Sequence, residues 1–201
     1  MTPKPIIYIV DDDQAVRDGL TALLSVNGFA LQTFESAERF LAAIDPSAAG
    51  CAILDIRMPG MNGLDLQSEL KRRGIALPVI IITGHGEVPL AVAALKAGAV
   101  DFLEKPFDSD ALLASIADAL RRNATARPSP FDRETIAARL AQLTPREREV
   151  MDLVVAGHPN KVVANRLGIA VRTVEIHRAK VMDKSQARNL SELIRMAMLF
   201  E

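Results

Sequence analysis

The 201-residue chain predicts two folds in series: an α/β domain with a five-stranded parallel doubly wound sheet, then an all-α domain of four helices. Three observations predict this. Short apolar runs alternate with helix-spaced segments through residue 122. A Pro-, Ala- and Ser-bearing stretch, residues 123–130, interrupts that rhythm. From Thr144 onward only helical spacing remains. The domains are therefore drawn as 1–122, a partly helical linker at 123–142, and 143–201.

The elements follow in order. Ile6 to Val10 is an apolar, β-branched strand. Gln14 to Val26 has helical spacing at Val16, Leu20, Leu23 and Leu24, closed by Asn27-Gly28. Ala30 to Phe34 reads as a strand, and Ser36 caps a helix ending near Ile44. Cys51 to Leu54 is a strand, and Leu64 to Arg73 a helix with Gly74 just beyond. Val79 to Ile82 is the most apolar strand, followed by a helix from Pro89 to Ala97. Asp101 to Leu103 is a short strand, and Ser109 to Arg122 a helix. Strands that are apolar throughout must be buried on both faces, which requires helices on both sides of a parallel sheet. Residues 131–142 read as helical. Thr144-Pro145-Arg146-Glu147 is a capping box with proline at the first helical position, opening a helix to Ala156. A short helix, Asn160 to Leu167, leads through Gly168 into one from Val171 to about Asp183. Asn189 opens the last helix.

Hydrophobic residues make up 49%, enough for packed cores. No apolar run approaches the ~20 residues that span a bilayer, and Ile6 to Val10 is too short for a signal-peptide core. The expectation is a soluble cytoplasmic protein without a membrane partner. The single Cys51 excludes an intramolecular disulfide framework and a cysteine-built zinc site. Net charge is −1, but residues 1–122 carry −5 and residues 145–201 carry +3. Any polyanion partner belongs to the basic half.

Polar residues cluster where strands end. Asp11 and Asp12 follow the first strand, Asp55 the third, Thr83 the fourth, and Lys105 the fifth. In an open parallel sheet these positions share the carboxyl edge, where ligands bind. Three converging carboxylates repel one another, and Mg²⁺ relieves this with carboxylate, water and phosphate oxygens. Asp55 is then a nucleophile for a phosphoryl group. Lys105 stabilises the charge on that group, and the Thr83 hydroxyl senses it. An aspartate run is also what a helix N-terminus carries, and Asp13 is read as such a cap. His85 lies in a Gly-His-Gly loop, with no second histidine in the first 150 residues to build a metal site.

In the second domain, the short helix, Gly turn and longer helix form a helix-turn-helix, whose second helix enters the DNA major groove. Val174 and Val181, with Val171 starting the stripe, make its inner face. Arg172, Glu175, Ile176, Ala179 and Lys180 make its outer face, with side chains suited to base edges. Lys161 is placed for a phosphate. A Gly-turned helix pair is also a common packing unit that need not bind DNA.

Four segments carry a resemblance: Ile7-Tyr-Ile-Val-Asp-Asp-Asp13, Leu54-Asp-Ile-Arg-Met-Pro-Gly-Met-Asn-Gly63, Ile82-Thr-Gly-His-Gly86 and Lys96-Ala-Gly-Ala-Val-Asp-Phe-Leu-Glu-Lys-Pro106. Together they resemble response-regulator receiver domains. The resemblance implies Asp55 as phosphoacceptor, and Mg²⁺ held by Asp11, Asp12, Asp55 and the backbone carbonyl of Arg57. It implies Thr83 and Phe102 as switch residues and Lys105 as the family's lysine. Leu143-Thr-Pro-Arg-Glu-Arg-Glu149, Gly157-His-Pro-Asn-Lys161 and Arg172-Thr-Val-Glu-Ile-His-Arg178 resemble the LuxR-type DNA-binding domain. That adds Thr173 and His177 to the DNA-facing set, with a core-facing side chain as the alternative for His177. Two departures are Ala170, where a capping serine is usual, and Ser185, where an apolar residue is usual.

The whole resembles the FixJ-like subgroup of two-component response regulators. It implies a sensor histidine kinase as donor, homodimerisation on phosphorylation, promoter DNA as target and RNA polymerase as a further partner. The chain is not read as an enzyme, beyond self-phosphorylation and slow loss of the phosphate. No Walker-type phosphate loop or kinase motif set is present. A DNA-binding regulator that works without phosphate is the alternative, and the acidic triad argues against it.

Overall fold

A computed structural model describes residues 5–84, 88–124 and 133–200. His85 and the linker around Pro128 and Pro130 lie outside the described residues. The chain divides into two compact units, one built on a sheet and one of helices.

The chain alternates β1 (Ile6–Val10), α1 (Gln14–Val26), β2 (Ala30–Phe34), α2 (Ala37–Ala43), β3 (Gly50–Asp55), α3 (Gly63–Arg72), β4 (Val79–Thr83), α4 (Val88–Lys96), β5 (Asp101–Glu104) and α5 (Ser109–Ala124). The strands form one parallel sheet in the order β2-β1-β3-β4-β5. Strand order reverses between β1 and β3.

The apolar runs are explained by alternation on two covered faces. Ile7, Ile9, Cys51, Ile53, Ile80 and Ile82 pack with Leu20 and Leu24 of α1 and with Leu112 and Ile116 of α5. Tyr8, one residue out of phase, turns to the other face and packs at a tilt against Phe40 of α2, ring centroids 5.7 Å apart. β3 and β4 are buried along their whole length. β2 is not, because as an edge strand it has a neighbour on one side only. Gly50 opens β3 at φ +141°, where a Cβ would lie 1.8 Å from the Ile6 carbonyl oxygen, so glycine is required for β1 and β3 to approach.

Local signals set the helix starts. Asp13 accepts from the Ala15 N–H, Ser36 from Arg39, and Asn62 from Leu64 and Asp65. Asp13 is the cap that the sequence predicts.

The helical unit comprises α4 together with α6 (Arg133–Leu140), α7 (Pro145–Val155), α8 (Asn160–Leu167), α9 (Val171–Ser185) and α10 (Leu190–Met198). The capping box of Thr144 and Glu147 forms as predicted. Val150, Val154, Val163, Ala164 and Val174 make its core. Gly168 takes a left-handed conformation, φ +64°, and turns α8 into α9. Ala170 gives α9 no side-chain cap. Ser185 is fully buried, yet its hydroxyl donates to the Met182 carbonyl and accepts from the Ala187 N–H, so a polar group is accommodated there. Among the described residues, no helix is long and apolar enough to cross a membrane.

Candidate functional site

The register of the sheet builds the first site. Val10 pairs with Leu54, so Asp11 and Asp55 leave adjacent strands side by side, where strand order reverses. Thr83 pairs with Glu104, and the Lys105 N–H donates to the Thr83 carbonyl, 2.8 Å. The strand ends thus bring a lysine from β5 toward two carboxylates. Its Nζ bridges them, 2.7 Å from Asp11 Oδ2 and 2.6 Å from Asp55 Oδ1. The other Asp55 oxygen accepts the Arg57 N–H, 2.6 Å. Asp11 Oδ1 accepts the Asp13 N–H, 2.9 Å. Both aspartates are buried.

Burial removes water from the Asp55 carboxylate and pushes its pKa up, and the negative charge of Asp11 adds to the rise. Lys105 opposes it. Burial alone would lower the Lys105 pKa, but the hydrogen bonds to Asp11 and Asp55 more than offset this and raise it. The lysine is therefore a permanent cation at neutral pH.

Asp12 is exposed, and among the described residues no group of three acidic, histidine or cysteine side chains is gathered. The sequence expects three converging carboxylates, whereas the structure joins two through Lys105. Thr83 is buried, with its hydroxyl 3.3 Å from the Gly84 carbonyl oxygen. Phe102 is half-buried on β5, opposite Ile81.

Sequence reasoning missed three supports of this region. Arg17 is buried and donates to the Asp11 carbonyl, 2.6 Å. Its signal was present: it shares a helix face with Leu20 and Leu24, at spacings that mark the core side. Glu38 of α2 accepts the Met61 N–H, 3.0 Å, and so holds the loop after β3. Ser115 of α5 donates to the buried Asp101 carboxylate, 2.6 Å. Neither of the last two pairs leaves a local pattern.

The second site is the outer face of α9. Arg172, Glu175, Ile176 and Lys180 are exposed, and Thr173 and His177 are half-buried. Lys161 of α8 is exposed. Val174 and Val181 form the inner stripe, as predicted. Val171 does not extend it. It is 41% exposed, because the first residue of α9 lies beyond the edge of the core. His177 divides its ring between environments: its Nδ1 is buried with no hydrogen-bond partner among the described residues. Arg172 and Glu175 form an exposed ion pair at 3.0 Å, which a nucleic acid would have to open or share. Arg178, unassigned from sequence, donates to Asn160 Oδ1, 2.6 Å, and joins α9 to the start of α8.

Lys184 near the end of α9 donates to Glu147 Oε2, 2.6 Å, and clamps it to the start of α7. With the Thr144 N–H also donated, this holds the Glu147 pKa at about 2 instead of 4.5. A carboxyl with a lower pKa folded than unfolded stabilises the fold above the unfolded value and loses that effect as pH falls. The helical unit should therefore lose stability between about pH 5 and pH 2. Thermal melts of the full chain should show Lys184→Met less stable at pH 7 and flatter across that window. Parallel curves for variant and wild type would contradict the clamp.

Comparison with known proteins agrees with this architecture. The response regulator receiver domain model matches residues 7–117, and the bacterial regulatory proteins, luxR family, model matches residues 141–197. The chain is 49% identical to the transcriptional regulatory protein FixJ of Bradyrhizobium diazoefficiens, over 98% of this chain and 97% of that protein. It is 42% identical to the response regulator protein TodT of Pseudomonas putida F1, over 94% of this chain and 84% of that protein. The crystal structure of full-length FixJ from B. japonicum superposes with a TM-score of 0.58 at 49% identity, covering 98% of this chain and 97% of that one. The chain belongs to the transcription-regulating response regulators, in which a receiver domain is followed by a LuxR-type helix-turn-helix domain.

Proposed function

We propose that Asp55 accepts a phosphoryl group from a phosphohistidine of a sensor kinase, and that the phosphorylated chain pairs with a second copy and binds promoter DNA in the cytoplasm. The observation that carries this reading is the Lys105 ammonium bridging Asp11 and Asp55 at the strand-order reversal.

An Asp55 carboxylate oxygen attacks the phosphorus. The P–O bond forms as the P–N bond to the imidazole breaks, and the imidazole keeps the electron pair and takes a proton. The Arg57 N–H and Lys105 hold one carboxylate oxygen each, so the nucleophile is oriented before the donor arrives. Lys105 then has the phosphoryl oxygens as an alternative partner. The residues fit Mg²⁺. Asp11 and Asp55 are two buried carboxylates near enough to share one cation, and Mg²⁺ commonly takes one or two carboxylates from a protein. Asp12 and the Arg57 carbonyl belong to the set that the family pattern implies. When bound, the ion shields charge on the phosphoryl oxygens. The chain's own chemistry is limited to accepting and slowly losing the phosphoryl group.

Thr83 is the hydroxyl that draws toward the new phosphate, and Phe102 follows it on β5. Two paired helix-turn-helix units read half-sites about one helical turn apart. In each, Lys161 takes a phosphate, and Arg172, Thr173, Glu175, Ile176, His177 and Lys180 form the groove-facing set. RNA polymerase is the further partner such a promoter-bound dimer would meet.

The test is selection of DNA from a random pool by the full chain, with and without a small-molecule phosphodonor. The expected result is recovery of a near-palindromic site, bound at least tenfold more tightly after phosphorylation. Recovery of no preferred sequence in either state would contradict the reading.

A further inference from the structure

We propose that Arg17 is a positioning residue for cation binding at the Asp11–Asp55 pair. The inference rests on the reading of that pair as the Mg²⁺ and phosphoacceptor site.

Arg17 is 8% exposed, and burying a guanidinium is costly unless its donors are used well. Its Nη1 donates to the Asp11 carbonyl, 2.6 Å, and its Nη2 to Gln14 Oε1. Both acceptors are neutral, so the buried charge is not spent on an ion pair. Gln14 is braced in turn, its Nε2 donating to Asp18 Oδ1, 2.7 Å.

The hydrogen bond falls on the residue whose orientation matters. Asp11 is the first residue beyond β1, where strand pairing ceases to fix the backbone. Its N–H donates to the Phe34 carbonyl, 3.2 Å, and its carboxylate faces Lys105. Arg17 fixes the remaining backbone group, the carbonyl. The three contacts hold the two peptide planes that flank the Asp11 Cα, and the carboxylate on the Lys105 ammonium that it shares with Asp55. Partners of this kind, which touch a ligand residue and not the metal, typically govern 10- to 100-fold in metal affinity.

The sign of the effect separates positioning from charge. Arg17 is a cation near a cation site. By Coulomb's law alone, removing it would strengthen Mg²⁺ binding. Loss of positioning weakens it.

The experiment is calorimetric titration of the full chain with Mg²⁺, for wild type, Arg17→Met, Arg17→Lys, Gln14→Leu and Asp11→Asn, with a thermal melt of each. We expect Arg17→Met to bind Mg²⁺ about tenfold more weakly. Arg17→Lys keeps the charge and one donor, and should fall between it and wild type. Gln14→Leu, which removes only the brace, should show a smaller loss and carries the test if Arg17→Met does not fold. If Asp11→Asn loses Mg²⁺ while the folded Arg17 and Gln14 variants bind as well as or better than wild type, the positioning role is overturned and the site stands. If wild type binds no Mg²⁺, or Asp11→Asn binds it equally, the site and the inference fall together.

Discussion

Asp55→Asn should abolish uptake of a phosphoryl group and leave the fold intact. The amide matches the carboxylate in shape and keeps one oxygen to accept from Arg57 or Lys105, which hold the carboxylate at 2.6 Å each. It offers no anionic nucleophile, so no acyl phosphate forms. Burial and the neighbouring Asp11 disfavour the charged form of Asp55, whereas the hydrogen bond and charge of Lys105 favour it. Neutralising it therefore removes opposing contributions, and the melting temperature should change little. Intact-mass measurement after exposure to a phosphodonor reads the first effect, and a thermal melt the second. A phosphorylated Asp55→Asn protein would place the acceptor on another residue.

Gly63→Ala should damage both stability and phosphorylation, through backbone collision. A Cβ at Gly63 would lie 2.2 Å from the Asp55 carbonyl oxygen, 3.0 Å from its carbonyl carbon and 3.2 Å from the Ile56 Cα. All three atoms are backbone, so no side chain can swing away. The Gly63 N–H also donates to the Ile56 carbonyl, 3.0 Å, closing the loop that carries Arg57. Relief requires moving the start of α3 or the end of β3, and the latter carries the acceptor. The expected loss is about 3 kcal/mol, typical of overpacking without room to relax. Phosphorylation by a small-molecule donor should slow with it. Gly19→Ala is the matched control, since nothing lies within 4 Å of its would-be Cβ. In that exposed helix position alanine should stabilise by up to about 1 kcal/mol. Chemical denaturation of the three proteins separates these cases, and equal stability of Gly63→Ala and wild type would contradict the packing described.

The sequence carried most of the architecture because its signals are local. Runs such as Val79 to Ile82 are apolar on both faces, and only a covered parallel sheet satisfies them. The Thr144–Glu147 box and Gly168 mark helix ends through contacts within four residues. The strand-end positions of Asp11, Asp55, Thr83 and Lys105 follow once the strands are drawn, and Asp11, Asp55 and Lys105 do meet. What was illegible depends on side-chain direction or distant pairing. Asp12 has the same residue type as Asp11 but is exposed where Asp11 is buried. Val171 keeps the spacing of the inner stripe but lies past the end of the core. Glu38 with Met61, and Lys184 with Glu147, are 23 and 37 residues apart and leave no periodic trace. β2 was drawn like the other strands, because strand order, and with it edge position, is not written in any one segment.

The account's central claim is that phosphorylation of Asp55 controls pairing of the chain. The most direct test is the molar mass in solution by light scattering, with Mg²⁺, before and after a phosphodonor, for wild type and Asp55→Asn. The account predicts a shift from monomer to dimer in wild type alone. The same shift in Asp55→Asn, or none in wild type that intact mass proves phosphorylated, would contradict it.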